Sequence, residues 1–171
     1  QGGNNAGHTV IVEGKKTAGL EIWEQVLRFL PTEKTLNVFI PVGDGNILSG
    51  IAKGFLDLLH LGWIGKLPRL IGVQAQGSAA IFNAFSQGKN TIEAVHSNTI
   101  ADSISVDLPR DGLRALQRVR QSGGFYLTVN DQEILAAIPE LGSVGLFVEP
   151  AAATAYAGLV KALKDHQINP D

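Results

Sequence analysis

The sequence predicts an α/β fold of three layers (αβα), with helices on both faces of a mostly parallel β-sheet. Segments with the apolar pattern of strands alternate along the chain with segments of helical periodicity, and this order produces parallel sheets. The 171 residues are 44% hydrophobic and 18% charged, which is the composition of a globular domain with its own core. Ligands of such folds bind near the carboxyl ends of the strands, so we expect a functional site there.

The first half of the chain contains two predicted pairs of strand and helix. Residues 8–13 (HTVIVE) have the branched, alternating pattern of a short strand, and residues 17–30 repeat apolar side chains at helical spacing until Pro31. Residues 36–42 (LNVFIPV) have the pattern of a buried strand, and residues 46–64 place apolar side chains on one face of a helix.

The second half repeats the alternation. Further strands are predicted at residues 69–75, 125–129 and 146–148. Further helices are predicted at residues 78–86, 111–121 and 151–164. Asn130 and Glu133 make a capping box for a helix that follows them, and Pro150 suits the first position of the last helix. Residues 90–109 fit neither pattern, and long irregular segments of this kind are often functional.

Charge and composition exclude several classes of function. The formal net charge of −2 and the pI near 6.1 produce no field that would attract nucleic acid or an anionic membrane. No apolar run reaches the roughly 18 residues of a membrane-spanning helix, and no signal peptide is recognisable, so we expect a cytoplasmic protein. Without cysteine the chain has no disulfide, thiolate metal site or cysteine nucleophile.

Two other residue types bear on the origin of the chain and on metal binding. There is no methionine, so Gln1 is not an initiator residue, and we expect a chain that is processed, trimmed or excerpted. His60, His96 and His166 have no histidine or carboxylate at ligand spacing, so no metal site is predicted.

The turn Gly43-Asp44-Gly45, between a predicted strand and a predicted helix, is a candidate binding site. At such a turn successive backbone N–H groups and the positive end of the helix can hold a phosphate. A dinucleotide-binding fingerprint would need glycine at Leu48, and no G-K-[ST] follows, so neither nucleotide motif fits. The alternative is a tight turn that binds nothing.

Residues 40–55 (IPVGDGNILSGIAKGF) resemble the phosphate loop and following helix of fold-type II pyridoxal-phosphate enzymes, of the threonine synthase and threonine dehydratase type. Four other stretches resemble the same family in the same order: residues 13–21 (EGKKTAGLE), 67–77 (LPRLIGVQAQG), 99–106 (TIADSISV) and 148–156 (VEPAAATAY). The resemblance implies pyridoxal 5′-phosphate as cofactor. It also implies that residues 13–171 are an incomplete large domain of that fold.

In the resembled family, backbone N–H groups of the loop hold the cofactor phosphate. The corresponding residues here are Gly43, Asp44, Gly45, Asn46 and Ile47. Asp44 departs from the family pattern, and a carboxylate repels a phosphate dianion. Its side chain must therefore point away or be neutralised, or the loop does not bind phosphate.

The resemblance places a second group of residues beside the cofactor ring and the substrate. They are Ala101, Asp102 and Ser103, with Ser103 in place of the usual glycine. Glu149 corresponds to a glutamate that lies near the ring in relatives. The alternative for Glu149 is an acidic residue that merely begins a helix, where it suits the helix dipole.

The lysine that binds the cofactor covalently in relatives has no counterpart here. None of the eight lysines lies in the S-x-K-x-R context of that residue, so no catalytic residue is assigned and we expect the chain to be inactive alone. The resemblance implies a small amino acid or its phosphorylated derivative as substrate and complementing segments of the same enzyme as partners, and it allows a homodimer. A non-catalytic α/β binding or structural fragment is the alternative.

Residues 1–10 (QGGNNAGHTV) resemble a different family, the adenylosuccinate synthetases. That resemblance stops by residue 16, and the G-D-E-G-K-G-K loop of that family is missing. Residues 1–12 are therefore a terminal segment of uncertain origin, and a junction of two sequences is one explanation. His8 corresponds to a histidine that assists phosphoryl transfer there, or it is an inert terminal residue. A nucleotide-binding relative of that family is the third hypothesis.

Overall fold

Three parallel strands form the sheet of this chain, which a computed structural model describes over residues 9–31 and 33–169. Strand β1 is Asn37–Pro41, β2 is Arg69–Ala75 and β3 is Phe125–Val129, in the spatial order β1-β2-β3. Gly72 in the middle of β2 is opposite Ile40 on one side and Tyr126 on the other. The carboxyl ends of all three strands therefore lie at one edge of the sheet.

Within the described residues, six α-helices surround this sheet. They are α1 (Thr9–Gln25), α2 (Asn46–His60), α3 (Ala80–Ser86), α4 (Gly112–Gln121), α5 (Asp131–Ser143) and α6 (Pro150–Lys164). The described ranges also contain three single-turn 3-10 helices, at Leu27–Phe29, Gln76–Ser78 and Asp102–Ile104. The segment predicted to be irregular, residues 90–109, contains only the last of these, so that prediction is confirmed.

Side chains that alternate along the strands divide the core into two halves. Leu70 and Tyr126 face a core shared with α1 to α4, whereas Ile71 and Leu127 face a core shared with α5 and α6. This alternation is the period of two that a strand imposes on its side chains. The predicted three-layer α/β architecture with a parallel sheet is therefore confirmed.

Helix α1 overturns the strand predicted at residues 8–13, since every described residue of that range is helical. The cause is close packing of α1 on α2 at glycines. A Cβ on Gly19 would lie 2.6 Å from the Ile51 carbonyl oxygen, and a Cβ on Gly50 would lie 2.5 Å from the Cβ of Lys15. Tertiary contact of this kind outweighs the strand propensity of branched residues. His8 itself lies outside the described residues, as does most of the terminal segment.

The end of α2 is also earlier than predicted. The helix ends at His60 because Gly62 adopts a positive φ of 71°, and its N–H donates to the carbonyl of Leu59 at 3.0 Å. The N–H of Trp63 then donates to the Leu58 carbonyl at 2.9 Å. These two hydrogen bonds are those of a Schellman motif, which commonly ends a helix at glycine.

The strand predicted at residues 146–148 does not form. This segment is irregular, the side chain of Leu146 is 54% exposed and that of Phe147 is fully exposed. No described strand pairs with it, and without a partner its backbone groups have no ladder to join. The last helix begins at Pro150 as expected. No helix in the described ranges is long and apolar enough to cross a membrane.

Candidate functional site

The β1–α2 turn is held in shape by two glycines. Gly45 caps α2 with a positive φ of 93°, and a Cβ there would lie 2.8 Å from the Cβ of Ala115. A Cβ on Gly43 would lie 2.9 Å from the Cα of Ile104. The turn is therefore pressed against the start of α4 on one side and against the 3-10 turn Asp102–Ile104 on the other, and larger residues do not fit.

Backbone donors of this turn have no acceptor in the part of the chain that the structure describes. Of the residues that the structure describes, none accepts a hydrogen bond from the N–H groups of residues 43–47. The first intrahelical bond of α2 runs from the N–H of Ser49 to the carbonyl of Gly45, at 2.9 Å. The side chain of Asn46 is 3% exposed, and neither of its amide atoms has a partner among the described residues. Buried polar groups without partners are uncommon and favour a ligand at this position.

The carboxylate of Asp44 is turned toward the start of α4. Its Oδ1 accepts a hydrogen bond from the backbone N–H of Arg110 at 3.0 Å, and its carbonyl accepts one from the N–H of Asp111 at 3.0 Å. The sequence left open whether this side chain points away from the turn. In the structure it does, because its carboxylate accepts a hydrogen bond from Arg110, outside the turn.

A buried acidic group, which the sequence did not single out, lies beside the same turn. Asp111 is 4% exposed, and Arg114 Nε lies 3.4 Å from its Oδ1. Burial raises the pKa of the Asp111 carboxyl, while the nearby Ser49 hydroxyl and Arg114 guanidinium act in the opposite direction. Ser49 is close to this carboxylate without a well-formed hydrogen bond. Burial, and secondarily the Asp111 charge, raises the pKa of the Tyr126 hydroxyl far above its usual range.

Residues 99–104 are anchored at both ends. Thr99 Oγ1 donates to Asp131 Oδ1 at 2.6 Å, which ties the segment to the first turn of α5. Ser78 Oγ, at the carboxyl end of β2, donates to the carbonyl of Ile104 at 3.2 Å and accepts from the N–H of Val106 at 2.9 Å. The strand ends therefore position a segment that has little regular structure of its own.

The structure brings together two of the predicted ring-side residues. Ser103 Oγ donates a hydrogen bond to Glu149 Oε2 at 3.1 Å, although 46 residues separate them, and both are exposed. Ala101 is fully buried and Asp102 is exposed. The alternative for Glu149 also describes part of the geometry, since it is the N-cap residue of α6. Its side chain makes no capping bond and is directed to Ser103 instead.

Gln74 is a positioning residue that sequence reasoning missed. It is 1% exposed in β2, its Nε2 donates to the carbonyl of Val42 at 3.2 Å, and its Oε1 accepts from the N–H groups of Ile81 and Phe82 at 3.0 and 2.8 Å. It thereby links the residue before the turn to the first helical residues of α3. The signal for it was a polar side chain inside an otherwise buried strand.

Two lysines of α1 and α2 are engaged in ion pairs between these helices and do not face the turn at residues 43–47. Lys16 and Lys53 both form ion pairs with Glu13 and Asp57 at 2.7 to 3.1 Å, across the contact of α1 and α2. The charge of Lys15 partly opposes the rise that burial causes in the pKa of the Asp111 carboxyl. Among the described residues, no group of three or more histidine, aspartate or glutamate side chains is placed to hold a metal ion.

The site places the turn at residues 43–47 close to a hydroxyl–carboxylate pair. The N–H groups of residues 43–47, which have no acceptor among the described residues, lie at the positive end of α2, and helix ends of this kind favour an anion. Gly43 packs on the 3-10 turn that carries Ser103, so the hydrogen bond between Ser103 and Glu149 lies on a neighbouring part of the same sheet edge.

Comparisons of the chain with family models and with curated proteins agree on one family, and a comparison with solved structures agrees on the fold. A model of the family described as pyridoxal-phosphate dependent enzyme matches residues 2–171. The match includes residues 2–12, for which the sequence suggested a separate origin.

Relatives and solved structures are similar over most of the chain. It is 37% identical over 162 residues to the threonine synthase of Methanocaldococcus jannaschii, covering 94% of this chain and 39% of that protein. It is 39% identical over 163 residues to the threonine synthase of Mycobacterium bovis, covering 94% and 42%. An L-serine ammonia-lyase from Rhizomucor miehei has the same fold over 94% of this chain and 48% of its own, at 23% identity and a TM-score of 0.76. The chain therefore spans about two fifths of the length of the curated relatives it matches.

Proposed function

This chain belongs to the pyridoxal-phosphate-dependent enzyme family, and we propose that it is the part of a threonine synthase-like lyase that binds the phosphate group of pyridoxal 5′-phosphate. The two relatives from Methanocaldococcus jannaschii and Mycobacterium bovis carry the name threonine synthase. The observation that carries the proposal is the run of backbone N–H groups at residues 43–47 that have no acceptor among the described residues.

The residues present fit a phosphate group. Gly43 and Gly45 leave no room for a side chain, so the backbone itself faces the site. Asn46, buried in the first turn of α2, adds an amide donor that has no partner among the described residues. The Asp44 carboxylate is engaged by the Arg110 N–H. The Asp111 carboxylate beside the turn has a counter-charge, since Arg114 Nε lies 3.4 Å from its Oδ1.

When bound, the cofactor supplies an electron sink for reactions at the α-carbon of an amino acid. This chain contributes orientation. Its turn holds the phosphate end, and the Ser103 hydroxyl, fixed by Glu149, lies at the neighbouring position of the sheet edge. Ala101 and Asp102 directly precede Ser103 in the chain, and we propose that these three residues and Glu149 lie on the ring and substrate side.

We further propose that the chain does not carry the covalent lysine and is inactive alone. Lys16 and Lys53 are engaged in ion pairs, and Lys161 donates to the carbonyl of Thr128 at 2.8 Å. The missing lysine and the residues that read the substrate would come from complementing segments. The substrate would be a small amino acid or its phosphorylated derivative, and residues 13–171 would be one incomplete cofactor-binding domain.

Titration with pyridoxal phosphate followed by borohydride reduction tests both parts of the proposal. We expect a reversible rise in the melting temperature with pyridoxal phosphate, and a smaller one with inorganic phosphate. After reduction, peptide mass spectrometry should show only scattered, substoichiometric labels on lysines.

Each part has its own contrary result. No thermal shift with either ligand would remove the phosphate-binding role. One stoichiometric label at a single lysine, with Lys15 the first to inspect, would show that the covalent residue is present after all. A Ser103→Ala variant serves as a matched comparison, because it leaves the turn intact and should retain the thermal shift.

A further inference from the structure

The two tryptophans of the chain meet at the opposite end of α2 from the phosphate-binding turn. The ring centroids of Trp23 and Trp63 are 5.0 Å apart, with an angle of 31° between their planes, and Trp63 is 59% exposed. Helix α2 has 15 residues, which places this pair about 22 Å along the helix from the turn. A ligand of that turn therefore does not reach the tryptophans.

A groove of about 340 Å³ lies against this pair. Its apolar surface comes from both indole rings together with Leu27, Leu30 and Ile64. Grooves of this size accommodate small organic ligands. An indole with a free face offers a stacking surface for a planar ring.

The charges that line the groove all have the same sign. Arg28, Lys34 and Lys66 line it, and no described residue that lines it is acidic. Lys66 Nζ donates to the backbone carbonyl of Glu33 at 3.1 Å, which holds this ammonium group at the groove and leaves it further donors. Three cations beside an aromatic surface complement a ligand that combines a ring with a negative charge.

We propose that this groove binds a small heteroaromatic anion, with its ring stacked on Trp63 and its carboxylate or phosphate held by Lys34 and Lys66. The site is separate from the phosphate-binding turn and independent of the proposed function. Recognition needs both the stacking on Trp63 and the ion pairs with the lysines, because exposed ion pairs are weak and stacking alone does not select for charge.

Three probes separate the two components: adenosine 5′-monophosphate, adenosine and inorganic phosphate. Since both tryptophans of the chain line the groove, intrinsic fluorescence reports on this site. We expect the monophosphate to change the fluorescence saturably and to bind at least about fivefold more tightly than either other probe. Excess inorganic phosphate should displace little of it, whereas a monophosphate bound at the turn would be displaced.

Variants locate the binding by equilibrium dialysis, which does not depend on fluorescence. Trp63→Leu should weaken monophosphate binding at least about fivefold, and Lys34→Gln combined with Lys66→Gln about two- to tenfold. Lys89→Gln is the matched control, because this lysine is exposed and pairs with Glu93 away from the groove, and it should change nothing. Circular dichroism and thermal unfolding verify that each variant is folded.

Three results would overturn the proposal. The first is no saturable binding at millimolar monophosphate. The second is equal binding of adenosine and the monophosphate, which would show stacking without recognition of charge. The third is dimerisation of the unliganded chain that Trp63→Leu abolishes, seen by analytical ultracentrifugation, because a second copy would then cover the groove.

Discussion

Asp44 Oδ1 accepts a hydrogen bond from the backbone N–H of Arg110 at 3.0 Å, so a side chain in the β1–α2 turn fixes the segment that leads into α4. The carbonyl of Asp44 accepts from the next N–H, that of Asp111, also at 3.0 Å. The same residue adds a negative charge to a turn whose N–H groups suit an anion. Asp44 therefore stabilises the fold, while its charge would oppose the proposed phosphate ligand.

Asp44→Asn should separate these two effects. The amide retains an oxygen acceptor for Arg110 but removes the charge, so the free energy of unfolding should change by less than about 0.5 kcal/mol. Phosphate binding should become severalfold tighter at low ionic strength. Urea unfolding and phosphate titrations measure both. Asp44→Ala is the comparison and should cost about 1 kcal/mol, and weaker phosphate binding by Asp44→Asn would contradict the role of the charge.

Gly45→Ala should destabilise the chain by more than about 2 kcal/mol. A positive φ of 93° disfavours any side chain, and the new Cβ would in addition lie 2.8 Å from the Cβ of Ala115. Gly62→Ala is the matched control, with a φ of 71° and no atom within 4 Å of the new Cβ, and should cost about 1 kcal/mol. Chemical denaturation compares the two variants. Equal losses would mean that packing against α4 contributes nothing.

Gln74→Leu should cost about 2 to 4 kcal/mol although leucine is apolar and similar in size. The substitution leaves the Val42 carbonyl and the N–H groups of Ile81 and Phe82 without their partner in a buried region. The midpoint of urea unfolding measures the loss. Gln76→Leu, at an exposed position two residues away, is the control, and its free energy of unfolding should stay within about 0.5 kcal/mol of the parent. An equally small change for Gln74→Leu would show that the three hydrogen bonds of Gln74 do not stabilise the fold.

Asp111→Asn should make stability less dependent on pH above about 4. The pKa of Asp111 is raised in the folded state, so the folded chain holds this proton more tightly than the unfolded chain does. The resulting stabilisation is complete below the ordinary pKa of 3.8 and is lost as pH rises through the raised value. The variant should therefore be the more stable of the two at neutral pH. Free energies of unfolding measured over a pH series check this. If the parent instead becomes more stable than the variant as pH rises, the ion pair with Arg114 stabilises the Asp111 carboxylate by more than burial destabilises it.

Much of the fold followed from local pattern. Strands β2 and β3 have the predicted bounds, and Asn130 and Glu133 form the predicted capping box at the start of α5. The two strand predictions that failed lie at opposite ends of the described chain. At the first, packing against α2 decided for a helix, and at residues 146–148 no described strand provides the hydrogen bonds that a strand needs.

The candidate site was predictable only in part. The turn at Gly43 and Gly45 is recognisable because glycine spacing between a strand and a helix is a local feature. Asp111 and Gln74 were missed because their importance comes from burial, which depends on distant elements. The pairing of Ser103 with Glu149 likewise needs the strands to bring two separate loops to one edge.

The sequence by itself determined the family, the alternation of strands and helices and the position of the glycine turn between β1 and α2, because these depend on residue type and spacing along the chain. Only the tertiary structure decided that Asp44 binds the Arg110 N–H, that Asp111 is buried and that Trp23 meets Trp63. The physical reason is the same for all three. Two are contacts between residues at least 40 positions apart, and the third is the burial that such contacts cause. Charge and exposure at a site are set by neighbours in space.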